Sequence, residues 1–175
     1  MHEIDFHTAL GRLLRDAQLR EEFALDPSAV AARLRVRAEE RAPFAALSSE
    51  ELGIQAMILV RKRFDAVRRL IPATMAELGE RGWELFRAHA HGFWPEAPAG
   101  PVRDTEQFCA RLSQSEPRSL CTAEMNRLRF HTGEQPLAVH LVRDLLVRGR
   151  ARRAVQLFVR HRRGWSEHAI HFAWG

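Results

Sequence analysis

The chain has 175 residues and a mass of 20.1 kDa; it is 46% hydrophobic and 28% charged, with a net charge of +5. That length fits one domain or two small modules sharing a core. The composition excludes a disordered tail, and no stretch offers the roughly 18 uninterrupted apolar residues of a membrane span.

Residues 3–15 predict a helix, because Phe6, Leu10, Leu13, Leu14 and Ala17 follow the spacing of one buried stripe. A second helix is expected over 17–25, burying Leu19 and Phe23. Asp26-Pro27 reads as a cap followed by proline at the first helical position, opening a helix through Leu34. Another short helix is expected near 38–46. Ser48 and Glu51 form a capping box, and the helix they open runs to Leu70. Its expected seam is Met57, Val60, Phe64, Val67 and Ile71, and Asp65 lies four residues from both Arg61 and Arg69. Pro72 ends or kinks that helix.

A further helix is expected over 73–90, with Met75, Leu78, Leu85 and Phe86 inward and Gly79 and Gly82 weakening its middle. Residues 92–101 hold three prolines and two glycines, which forbids regular structure. The expected division is therefore a helical domain over 1–92, a linker over 93–101 pinned by Phe93 and Trp94, and an α+β module over 102–175. In that module Asp104 is expected to cap a helix of 104–114, with another over 118–131. Residues 137–148 read more easily as helix than strand. Residues 154–174 read as an antiparallel hairpin turning at His161-Arg162-Arg163-Gly164, with Ile170, Phe172 and Trp174 on one face. The fold class is thus mainly α with a small C-terminal antiparallel β element.

Charge is uneven. Residues 1–60 hold seven Arg against ten acids, a net −3; residues 118–175 hold eleven Arg against four acids, a net +7. A basic C-terminal third suits an acidic peptide, an acidic protein surface or a nucleic acid. No recognition-helix motif accompanies it, and the acidic N-terminal half argues against a phosphate-binding body.

Catalytic signatures are missing. His89 and His91, two apart on a helix, point about 200° from each other and cannot share an ion. No His-Glu-x-x-His, Cys-x-x-Cys, nucleophile elbow or phosphate loop occurs. The histidines read as surface or capping groups and Cys109 and Cys121 as small core residues. Two cysteines are too few for a disulfide scaffold, and the first residues lack a signal-peptide pattern, so the cytoplasm is the expected location.

Four segments carry a resemblance. They are Leu13 to Pro27, continuing as Leu34-Arg35-Val36, Glu39-Glu40 and Phe44-Ala45-Ala46-Leu47; Val60-Arg61-Lys62-Arg63 with Val67, Leu70 and Pro72-Ala73-Thr74; Phe108-Cys109 after the Pro-rich stretch; and the terminal hairpin. Together the chain resembles the small partner proteins of multinuclear non-haem iron-dependent oxidative enzymes, which modify ribosomally made peptides. The resemblance implies a non-catalytic accessory subunit with no cofactor of its own, the iron belonging to the partner enzyme. It implies two partners, the oxygenase and the precursor peptide, and no membrane. An added peptide strand at the hairpin's edge is expected, with Arg150, Arg152, Arg153, Gln156, Phe158, Arg160, Arg162 and Arg163 as the peptide- or partner-binding set. The rival expectation is a nucleic-acid-binding regulator using the same basic third.

Overall fold

Three aspartates start the first three helices. In a computed structural model that describes residues 2–95, 100–112, 117–133, 136–147, 150–161 and 164–172, α1 (Phe6–Arg15), α2 (Ala17–Leu25) and α3 (Pro27–Leu34) follow Asp5, Asp16 and Asp26. Each carboxylate accepts from the backbone N–H three residues on: Thr8 at 2.7 Å, Leu19 at 3.0 Å and Ala29 at 2.9 Å. Each bond satisfies a donor that a helix start leaves without an intrahelical partner. At the other end of α1, the Arg20 guanidinium donates to the carbonyls of Leu13 and Leu14. Burial lowers the Arg20 pKa from its ordinary value.

A 3-10 turn (Ala38–Glu40) and α4 (Arg41–Ala45) follow, then α5 (Ser49–Leu70), whose Glu51 N–H donates to Ser48 Oγ at 3.3 Å. Glu40 reaches back to accept from the Phe6 N–H at 2.9 Å, a second cap on α1 from a distant segment.

The chain divides into two compact units, Met1–Arg63 with Ala90–Trp94, and Phe64–His89 with Pro95–Gly175. These bounds differ from the expected 1–92, 93–101 and 102–175. The first unit packs Leu13, Leu19, Phe23, Val30, Phe44 and Leu52 into one core, with Phe44 edge-on to both Phe6 and Phe23. Trp94 belongs to this unit. The guanidinium of Arg63 lies 4.5 Å from its ring centre and that of Arg15 5.5 Å, and Arg63 also donates to the Phe93 carbonyl. Phe93 and Trp94 are thus pinned as expected.

The second unit holds α6 (Pro72–Leu78), α7 (Arg81–Gly92, whose last residues Ala90–Gly92 fall in the first unit), α8 (Gly100–Arg111), α9 (Arg118–Thr132) and a sheet of β1 (Leu137–Val147), β2 (Arg150–His161) and β3 (Gly164–Phe172). Several expectations are corrected here. The single helix of 73–90 is two, because Gly79 takes φ +56° and stops α6. Residues 137–147 are strand, not helix. Asp104 is not a cap: it lies inside α8, buried, 2.8 Å from His89 Nε2. His89 is accordingly an interior residue, packed between Phe86 and Phe108, and not a surface or capping group. Cys109 and Cys121 are joined in a disulfide, since α8 and α9 bring their Cα atoms to 5.8 Å. Asp65 pairs with Arg68, three residues on.

Glu124 of α9 is buried, and its carboxylate accepts from Ala73 N, Thr74 N and Thr74 Oγ1 at 2.8, 2.8 and 2.6 Å. It caps α6, whose own preceding residue, Ile71, has no side chain able to do so. The architecture as a whole is mainly α with a small C-terminal antiparallel sheet. No described helix is long and apolar enough to cross a membrane.

Candidate partner-binding surface

The sheet order is β1-β2-β3, all antiparallel. Directly opposed residues share a face, so the register sorts every position. One set is Ala138, His140 and Val142 of β1, Ala154, Gln156 and Phe158 of β2, and Glu167 of β3. This set faces α9. Val142 and Ala154 are buried against Ala123, and Phe158 stacks on Phe130 with ring centres 5.2 Å apart. Gln156 donates to the Ala123 carbonyl at 3.2 Å and to Glu167 at 3.3 Å, and accepts from Asn126. Arg127 of α9 grips Glu167 with two bonds, which raise the Arg127 pKa.

The opposite face is different in kind. It carries Leu137, Val139 and Leu141 on β1, Val155, Leu157 and Val159 on β2, and Ile170 on β3. Leu137, Val139, Leu141 and Ile170 are 54%, 59%, 58% and 50% exposed, while the three β2 residues are half-buried between them. Arg153 and His168 share this face and are exposed. Aliphatic side chains gathered and exposed on one sheet face make this the candidate surface. Among the described residues β1 and β3 each pair only with β2, so each has an outer edge of backbone donors and acceptors.

The expected binding residues fall into three groups. Gln156 and Phe158 are corrected: both lie on the α9 face, Gln156 3% and Phe158 0% exposed, because the pleat turns even-numbered β2 positions inward. Arg160 is exposed, but its guanidinium donates to the carbonyls of Phe130 and Gly133 and lies over the Phe130 ring, tying β2 to α9. Arg153 stands on the open face. Arg150 and Arg152 hold β2 register positions opposite Val147 and Leu145. Arg162 and Arg163 lie outside the described residues, as does Trp174. Ile170 sits on the open face.

Among the described residues no three of His, Cys, Asp and Glu gather where they could hold a metal ion. A hollow of about 220 Å³ lies between α2 and α3, lined by Leu25, Ala29 and Val30 and by Glu22 and Arg33, which form an ion pair. It falls below the usual range of about 300–1,000 Å³ for small-molecule sites.

The fold and surface define a mainly helical protein that presents an open aliphatic sheet. Residues 38–114 match a family model described as SCO6045-like, C-terminal domain. No curated protein and no solved structure matches the chain.

Proposed function

We propose that the chain is a non-catalytic partner protein that binds a multinuclear non-haem iron oxygenase and presents a ribosomally synthesised precursor peptide to it. The observation that carries this reading is the three-stranded sheet, with one face sealed by α9 and the other aliphatic and open beside two outer edges. An extended peptide added along β1 gains main-chain hydrogen bonds, and its alternate side chains continue the surface of Leu137, Val139 and Leu141. The net +7 of residues 118–175 favours an acidic leader, with Arg153 on the open face to meet it.

Calorimetry with the oxygenase and its precursor peptide tests the proposal. Micromolar binding to both supports it, and no heat with either rejects it. Reversing Arg152 and Arg153 weakens leader binding more than it changes folding; equal affinity would remove the arginines from the account. The nucleic-acid alternative rests on the same basic charge, yet Arg127 and Arg129 are engaged with Glu167 and Glu106. It predicts a salt-steep gel shift on duplex DNA, and an absent shift at low salt dismisses it.

A further inference from the structure

Helix α5 carries apolar side chains on two sides. Over its first turns Leu52 and Ala56 are buried, as an amphipathic helix requires. On the other side Ile54, Met57 and Ile58 are 53%, 46% and 42% exposed. At 100° per residue these three lie within about 100° of one another and point away from Leu52 and Ala56. Met57, expected from the sequence in the buried seam, belongs to this outward stripe. Its ends are charged: Glu50 one turn before Ile54 and Arg61 one turn after Met57, both exposed.

The order Glu50, Ile54, Met57, Arg61 has the spacing 4, 3, 4 and reads the same from either end except for the sign of its charge. When two such helices cross antiparallel about a two-fold axis, position sums are constant. Glu50 then faces Arg61 of the second copy and Ile54 faces Met57, each contact occurring twice. A parallel crossing instead places Glu50 beside Glu50 and Arg61 beside Arg61. Charge therefore selects one orientation, and the stripe is complementary to itself.

We propose that the outward face of α5 is a self-association surface, its occupant the same stripe of a second copy in antiparallel register. This inference does not rest on the proposed function, which concerns the sheet. Three apolar side chains fall short of the roughly 800 Å² per partner of a stable complex, so the dimer is weak, with a Kd on the order of 10–100 μM.

Sedimentation equilibrium of the full chain across that range tests it, with circular dichroism confirming the fold of each variant. The expected result is a monomer–dimer equilibrium. Glu50→Arg alone and Arg61→Glu alone each raise the Kd about tenfold, since each creates two like-charge contacts. The double variant restores association. An equimolar mixture of the two single variants forms a heterodimer, because each mismatch then meets its complement. A chain that stays monomeric to several hundred micromolar overturns the proposal. So does a dimer indifferent to both charges, or single variants that fail to pair when mixed. A dimer dispersed by Val139→Asp but not by Ile54→Glu also overturns it, by placing self-association on the sheet.

Discussion

The two faces of the C-terminal sheet are built from the same three strands by opposite means. The α9 face mixes a stacked aromatic pair, small aliphatic contacts and the chain of bonds from Asn126 through Gln156 and Glu167 to Arg127. The open face carries aliphatic side chains beside Arg153 and His168, and among the described residues no helix covers Leu137, Val139 or Leu141. Burial follows the partner that a face finds, not how apolar its side chains are. The polar Gln156 is inside because α9 supplies its bonds, and Val139 is outside although it is the better core residue.

That contrast can be broken most severely at Phe158. Phe158→Ala removes a fully buried ring stacked on Phe130 and should cost about 3–5 kcal/mol, read from urea denaturation. Joint replacement of Cys109 and Cys121 by serine releases the tether between α8 and α9, the base on which the sealed face is built. A loop of this size predicts a loss of about 3 kcal/mol in the same assay. Gln156→Leu leaves the Asn126 amide and Glu167 without one buried partner and should cost about 1–3 kcal/mol. Val139→Asp, on the open face, should move stability by no more than about 0.5 kcal/mol while abolishing peptide capture. A large loss of stability there would mean that the open face is a core after all.

The smallest effect lies in the helical unit. Its bond from Thr8 N–H lowers the Asp5 pKa below the ordinary carboxylate value. A lowered folded-state pKa contributes stability above the unfolded value near 3.8, lost as pH falls through the folded value. Asp5→Asn should therefore flatten the acid limb of the stability profile slightly, with a small loss at pH 7 that vanishes below the folded-state pKa, read from urea denaturation across pH.

Much of the helical fold was legible because its signals are local. Asp26-Pro27 and Ser48 with Glu51 mark helix starts within four residues of sequence, and the structure places both. The terminal hairpin was legible from its strand formers and Gly164. What escaped depends on distant partners. Glu124 caps α6 from about fifty positions away, and the His89–Asp104 bond joins two helices. Strand β1 was masked by a bulge between Val142 and Leu145, which breaks the period of two begun by Leu137, Val139 and Leu141 and leaves Leu137, Leu141 and Leu145 at helical spacing. For the binding surface, alternation in β2 pointed nowhere useful, since Val155, Leu157 and Val159 look more like a buried set than Ala154, Gln156 and Phe158 do.

Trp94, held by Arg15 and Arg63, has a practical consequence for anyone cutting the gene. The N-terminal unit is assembled from two stretches, so no single truncation excises it. Stopping after Arg63 discards the indole that both guanidiniums cover. Stopping after Trp94 retains Phe86 but strips away Phe108, the ring it packs against. The fragment 38–114 begins inside one unit and ends inside the other. Expressed by itself it would lack Asp5, Phe6 and Phe23 on one side and Glu124 on the other, so a shortened version should be chosen by its aromatic contacts and not by the limits of the matching segment.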